Sequence, residues 1–347
     1  MGTISSYGIV TGAGSGVDAL WNAAIDGRDL SSGYRGGRAF LIPGPRGASV
    51  REHLSTHLSS AYREAAPELG PRFGVILAST KGLSNDFIWR DGDLSRDPLT
   101  PLLDEFLRAQ DLQPEKRLCI SNACSSALGA LALARIWLAQ GLDQVVILAA
   151  DAVTEFVSQG FQSLKLISGG RPRPFDRARD GFWLGEAAAC LVIENAGGIR
   201  VAGVELDTEG SVVTRPATSS VSLARALAKL PLAPDAILAH ATATPINDET
   251  EELAFRAVYG AATPPITGSK WCVGHTLGAS AAVDLILACE ILKRGRLFAL
   301  ATTQEVAEGY TGDYTLGPAR AGAYRTLLVS SLGFGGMHAA ALLELRA

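Results

Sequence analysis

The run Leu118–Ala150, LCISNACSSALGALALARIWLAQGLDQVVILAA, decides the fold. An apolar stub ending in Cys119-Ile120 turns at Cys124 into an Ala/Leu-rich segment of helical length, Ser125–Gln140, and the short apolar run Gln144–Ala150 follows. Short Val/Ile/Leu runs that alternate with helix-length segments are the pattern of an α/β protein with buried strands. The same alternation extends outward in both directions. It predicts strands at Phe73–Ala78, Gln144–Ala150, Ala188–Ile193, Ala236–Ala239 and Arg325–Ser330, and helices at Ser125–Gln140, Glu249–Tyr259 and Leu277–Lys293.

Two of these helices begin alike. Leu128-Gly129-Ala130 leads Ala-rich turns that stop at Gly141, and Leu277-Gly278-Ala279 leads similar turns that stop at Gly295. Small residues let a helix approach its neighbours closely, so both are expected to be central and buried. A duplicated α/β unit is the economical explanation, with the divide near Asn195-Ala-Gly-Gly198 and halves at 1–195 and 196–347. Similarity of Ala-rich composition alone is the alternative. Residues 29–50, rich in Gly, Arg and Pro, are expected to form a surface excursion.

Composition removes several function classes. A chain of 347 residues that is 47% hydrophobic and 19% charged folds rather than staying disordered. Thirty-one Lys and Arg against 35 Asp and Glu give a net charge of -4, which supplies no basic excess for nucleic acid. No stretch reaches the roughly 18 to 20 uninterrupted apolar residues of a membrane span. Met1–Val10 lacks a charged segment followed by a long apolar one, so a cytoplasmic location is the expectation. The five cysteines show neither CxxC pairs nor metal-ligand spacing, and neither a disulfide framework nor a metal site is expected.

Cys124 is expected on a tight strand-to-helix turn with its sulfur facing the helix N-terminus, where the dipole and free N–H groups lower a thiol pKa. A lone cysteine is more often an inert core residue. Three of the five histidines, His240, His275 and His338, lie in Gly/Ala/Thr-rich loops after strand-like runs. Catalytic groups of α/β sheets sit at such strand ends. One loop histidine would be structural more often than not; two beside a turn cysteine are harder to dismiss. His338 is expected to be structural.

These residues resemble the β-ketoacyl-acyl-carrier-protein synthases, the elongating ketosynthases of the thiolase superfamily, in a shortened form. Asn122-Ala-Cys-Ser-Ser126 looks like the nucleophile motif, and Gly160-Phe161 with Lys165-Leu-Ile-Ser168 like the segment that follows it. Arg173-Pro-Phe-Asp176, Arg179-Asp-Gly181 and Gly185-Glu186 are similar to RPFD, RDG and GE elements; His240-Ala-Thr-Ala-Thr-Pro245 resembles HGTGTP; Lys270 with Gly274-His275 resembles KxxxGH; and Gly333-Phe-Gly-Gly336 resembles GFGG. Six ordered motifs at compatible spacing are specific where any one would be weak.

The resemblance implies a thiolase-like fold, two duplicated βαβαβαββ halves in five α-β-α-β-α layers. It implies decarboxylative Claisen condensation of an acyl thioester with a malonyl-carrier protein, in fatty-acid or polyketide-type synthesis. Cys124 would hold the acyl chain, Cys124 and Phe334 N–H groups would form the oxyanion hole, and His240 and His275 would stabilise the enolate. Thr242 and Thr244 would meet the phosphopantetheine arm, Lys270 would be catalytic and pair with Asp284, Asp284 and Gly335 would be among the substrate-binding residues, and Phe334 would gate the acyl tunnel. Asp284 stands where Glu is usual, Ala241 and Ala243 place methyl groups beside the pantetheine path where glycine or serine is usual, and Ser330, Met337 and His338 also depart from the pattern. No cofactor of its own is implied, since 4'-phosphopantetheine arrives on the acyl carrier protein. That carrier is expected to dock on basic residues, Lys165 first and Arg63 second. A homodimer, or a heterodimer with a related subunit, is implied. The alternative is a non-catalytic, chain-length-determining partner of another ketosynthase, which Cys124 argues against.

Overall fold

The computed structural model describes residues 2–47, 49–93, 95–210 and 220–346. Ten strands form one path across a mixed sheet. The first five are β1 (Gly2–Thr11), β2 (Phe73–Ala78), β3 (Lys116–Ile120), β4 (Gln144–Asp151) and β5 (Ala187–Glu194). The second five are β6 (Ile199–Thr208), β7 (Ala236–Leu238), β8 (Ile266–Thr267), β9 (Thr326–Gly333) and β10 (Met337–Glu344). The order across the sheet is β3-β2-β4-β5-β1 and then β6-β10-β9-β7-β8. Each half thus runs third, second, fourth, fifth, first, and the two meet at their first strands, where Gly2–Ile4 pair antiparallel with Ile199–Val201.

Strand directions repeat as well. The second strand is parallel to the third and fourth, and the fifth is antiparallel to the fourth and first, in both halves. Three helices punctuate each half at matching places: α1 (Val50–Ala65), α2 (Thr100–Ala109) and α3 (Ser126–Ala139), then α4 (Val221–Ala228), α5 (Pro245–Tyr259) and α6 (Ser280–Arg294). This is βαβαβαββ twice over.

Burial explains the layers. All six residues of β2 are buried, because Val75 and Leu77 face the α1/α2 side while Ile76 and Ala78 face the centre. In α6 every residue from Ser280 to Leu292 is buried, and α3 is buried around its whole circumference from Ser126 to Leu131. A helix apolar on all sides belongs inside, and α3 and α6 pack against each other between the two half-sheets. Each Leu or Ile so enclosed contributes about 1.5–3 kcal/mol. The amphipathic pairs α1/α2 and α4/α5 cover the outside.

The connection between the halves is the tight turn 195–198. Gly198 has φ +59, and a Cβ there would collide with the Ile4 carbonyl. Most expected elements stand where the patterning put them. Two differ at their starts: α5 begins at Pro245 rather than Glu249, and Leu277–Ala279 form a 3-10 turn before α6. The excursion at 29–50 carries a hairpin, Ser32–Tyr34 with Gly37–Phe40, whose second strand pairs with Leu184–Gly185 and buries Ala39 and Phe40; Ala48 lies outside the described residues.

Candidate active site

The nucleophile candidate sits where β3 hands over to α3. The turn needs a left-handed residue, Ala123 at φ 48, immediately before Cys124. Serines lock it: Ser125 Oγ donates to the Asn122 carbonyl at 2.8 Å and to Met337 at 3.2 Å, and Ser331 Oγ donates to the Cys124 carbonyl at 3.1 Å. Ser331 and Met337 belong to the other half, so the cysteine is held from both sides. The Phe334 N–H is near enough to the Cys124 thiol to favour its thiolate.

Cys124 is 6% exposed, and burial pushes its thiol up to about 11 despite the pull of Lys270 and of the Phe334 N–H. The sequence-based expectation of a lowered thiol pKa is therefore wrong in sign. A helix N-terminus acts on any thiol beside it, but desolvation of the thiolate at this depth is the larger effect.

His240 follows β7 and is fully buried. Its backbone N–H donates to Glu251 at 2.8 Å, and the Ala241 N–H donates to the same carboxylate at 2.7 Å. Neither ring nitrogen has a hydrogen-bond partner among the described residues. An unsatisfied buried imidazole costs about 1–3 kcal/mol unless something arrives to bond it. His275 lies in the loop before α6; its backbone N–H donates to Trp183 at 2.8 Å, and its Nδ1 accepts the Leu277 N–H at 3.2 Å. With Nδ1 accepting, the neutral ring carries its proton on Nε2 and offers a donor. Burial holds both imidazoles neutral, His275 down to about 3 and His240 well below its ordinary value, with Lys270 adding to each. The Cys124 sulfur and one nitrogen from each ring lie within 4.8 Å of one another.

Lys270 is buried and pairs with Asp284 at 3.0 Å, while Ser269 donates its hydroxyl to the same carboxylate. The shorter aspartate suffices because Ser269 takes up its second oxygen. Asp284 is fully buried, and its carboxylate positions Lys270. Thr242 and Thr244 stand beside His240 with their hydroxyls 3.0 Å apart, and Asn247 donates to Thr242 at 3.1 Å. Gly335 (φ +84) and half-buried Phe334 form the closing loop. Aromatic contacts then run from Phe334 through Phe161 and Phe182 to His275, with centroid separations of 5.7, 5.5 and 4.9 Å. Lys165 is exposed at φ 57, just past the helix Glu155–Ser163, and Arg63 is exposed on α1.

Ala241 is fully buried in the core and abuts Gly268, where a Cβ would collide with it. One placement differs from expectation. His338 is in β10, not in a loop, with its ring buried and Nε2 3.6 Å from Glu209.

Several residues emerge only from the fold. Asp151, at the end of β4, accepts the Thr80 and Lys81 N–H groups at 2.9 Å, the Ser79 hydroxyl at 2.9 Å and the Gly278 N–H at 2.8 Å, tying both halves together beneath the cysteine. Glu251 and Asp248, one turn apart on α5, hold the backbone of the His240 loop; burial pushes Asp248 up to about 8. The signal in the sequence was a lone acid closing an otherwise apolar strand, Gln144–Asp151.

A cysteine and two histidines this close could in principle ligate a metal ion. Within that trio His275 presents an N–H, because its Nδ1 accepts the Leu277 N–H, and the Lys270 ammonium acts on all three groups.

Residues 116–197 match the β-ketoacyl synthase N-terminal domain and residues 198–303 the β-ketoacyl synthase C-terminal domain. The chain belongs to the β-ketoacyl synthase family. Among relatives of this ketosynthase-family chain, the 3-oxoacyl-[acyl-carrier-protein] synthase 2 of Mycobacterium tuberculosis (strain ATCC 25618 / H37Rv) is 30% identical over 251 residues, 63% of this chain and 58% of that protein. The tetracenomycin polyketide synthase ketoacyl synthase alpha subunit of Streptomyces glaucescens is 28% identical over 255 residues, 65% of this chain and 59% of that protein. The match thus spans less than two thirds of these relatives' length. A solved β-ketoacyl synthase from Burkholderia phymatum STM815 superposes with a TM-score of 0.87 at 24% identity, over 100% of this chain and 99% of that one. The ishigamide ketosynthase/chain length factor gives 0.86 at 22% identity, again over 100% and 99%. The thiolase-like α/β fold is therefore shared with these ketosynthases.

Proposed function

We propose that this chain is a β-ketoacyl-acyl-carrier-protein synthase that joins an acyl thioester to a malonyl-carrier protein by decarboxylative Claisen condensation. The observation that carries this reading is the buried meeting of Cys124 from one half with neutral His240 and His275 from the other, within 4.8 Å. Cys124 attacks the acyl thioester carbonyl, the carrier thiol leaves, and the acyl group rests on sulfur. A thiol raised to about 11 reacts only as its proton departs, and that proton ends on the departing carrier thiolate, so acyl transfer leaves no net charge behind. Malonyl thioester then loses CO₂; the enolate oxygen meets N–H donors from His275 and His240. The enolate carbon attacks the acyl-Cys124 carbonyl, the new C–C bond forms, and the C–S bond breaks to return the thiolate. Backbone N–H groups of Cys124 and Phe334 serve the oxyanion, each donor worth about 2.7–4 kcal/mol.

Thr242 and Thr244 meet the pantetheine arm, which arrives on the acyl carrier protein, so the enzyme uses no cofactor of its own. The carrier docks at the rim near Lys165. A related subunit or second copy covers the sheet edge at β3, where Leu118 is 44% exposed and Ile136 on α3 is 52% exposed. No helix among the described residues is long and apolar enough to cross a membrane, all five cysteines are free thiols, and a cytoplasmic location fits both. The complete cysteine-histidine site argues against a purely chain-length-determining partner. Incubation with acyl-carrier protein followed by intact mass measurement tests the reading: an acyl adduct that disappears in Cys124→Ala is expected, and a parent protein that stays unmodified overturns it.

A further inference from the structure

Two ammonium groups draw the Cys124 thiol downward against burial, Lys270 and Lys81. Lys270 is committed to Asp284. Lys81 is half-buried, and among the described residues its Nζ has no hydrogen-bond or ion-pair partner; it lies 5.5 Å from the ring centroid of Phe156. Phe156 packs in the same apolar cluster as Phe161, Phe182, Leu277 and Phe334, which reaches His275 through Phe182.

The backbone of the lysine is fixed in place. Its backbone N–H donates to Asp151 at 2.9 Å, and the Thr80 hydroxyl next to it donates to the Ala123 carbonyl at 3.1 Å, one residue before the nucleophile. A half-buried ammonium over an aromatic face keeps an unmet preference for an electron-rich oxygen. A saturated chain gains nothing from it and must desolvate it. Leu or Ile there would serve such a chain better.

Resting on the synthase reading above, we propose that Lys81 determines specificity at the acyl subsite, selecting acyl chains that carry a carbonyl or carboxylate oxygen near the thioester over saturated chains of similar length. The oxygen accepts a charge-assisted hydrogen bond from Nζ while the hydrocarbon part lies against the Phe156–Phe182 cluster.

The test compares the parent with Lys81→Met, which keeps the stem and loses the charge, and Lys81→Arg, which keeps the charge. Acylation of Cys124 by N-acetylcysteamine thioesters is followed by intact mass, 3-oxobutanoyl against butanoyl and succinyl against pentanoyl. Lys81→Met should lower the oxygenated-to-saturated rate ratio about tenfold or more, the worth of one charge-assisted hydrogen bond, and Lys81→Arg should retain most of it. An unchanged ratio in Lys81→Met, with acylation proceeding, overturns the proposal and leaves the synthase reading standing. A second readout needs no catalysis: the rate of Cys124 alkylation by iodoacetate relative to iodoacetamide. If no thioester acylates but Lys81→Met loses the iodoacetate preference, the oxygen-recognising lysine is supported and the synthase reading fails. If no thioester acylates and that preference is unchanged, both fail.

Discussion

Replacing Asp284 by alanine strands the Lys270 ammonium. The two side chains are 1% and 0% exposed and 3.0 Å apart, so the charge left behind has no water to turn to. Removing one partner of such a pair costs about 3–5 kcal/mol, because the loss includes the desolvation of the survivor and not merely the attraction between them. Ser269 also loses its acceptor, which places Asp284→Ala toward the upper end. The double variant Lys270→Met/Asp284→Leu removes both charges with little change in volume and should unfold within about 1 kcal/mol of the parent or above it. Urea unfolding at fixed protein concentration, with m unchanged, measures both. The double variant also loses the cation that pulls the Cys124 thiol down, so iodoacetamide should alkylate Cys124 more slowly at a given pH than in the parent. If Asp284→Ala unfolds within about 1 kcal/mol of the parent, the buried ion pair is refuted.

Cys124→Ala should abolish the acyl adduct while leaving malonyl decarboxylation running, whereas His240→Ala should slow CO₂ release by about 10²–10³-fold and still acylate; separate mass and CO₂ assays decide, and parent-rate CO₂ release from His240→Ala counts against its role. His275, held down to about 3 by burial and then by Lys270, stays neutral in the fold while the unfolded chain protonates near pH 6.5. Its contribution is therefore whole above about pH 6.5 and falls as pH drops toward 3, by about 1.4 kcal/mol per unit; urea midpoints at pH 5 and 7 should show a gap that narrows in His275→Phe. Gly268→Ala should cost about 1–3 kcal/mol by collision with Ala241, and Ala241→Gly should rescue it, a pairing checked by thermal melts of the single and double variants. Phe334→Ala should alter the balance of the two half-reactions while the melting temperature stays near the parent's, since the ring is only half-buried.

Strands were legible because burial on both faces makes them continuously apolar: Phe73–Ala78 and Ala187–Glu194 announce themselves. The first turn of α5 was not. Pro245 opens it, and its inward residues Asn247 and Asp248 are polar because they serve the His240 loop, so hydrophobic periodicity begins only later. The motif cysteine, histidines and lysine were legible as residue types at ordered spacing. Their electrostatics were not, since a sequence displays the helix beside Cys124 but not the depth that raises its pKa. Asp151, Ser269 and Lys81 escaped for a related reason: a polar residue in a sequence carries no label for the partner that folding brings to it.

The duplicated topology has a consequence for the molecule's ancestry and its unfolding. Helices α3 and α6 lie against each other, so each covers part of the apolar surface that its own half-sheet leaves open. A chain one half as long, with only one such helix, would leave it partly uncovered in water and so would persist only as a symmetric pair. Such a pair would own two equivalent catalytic corners. In this chain the two corners differ, one carrying Cys124 before α3 and the other His275 before α6, with His240 beside it. The contact between α3 and α6 makes the two repeats interdependent, so the chain should melt as one cooperative unit rather than in two steps.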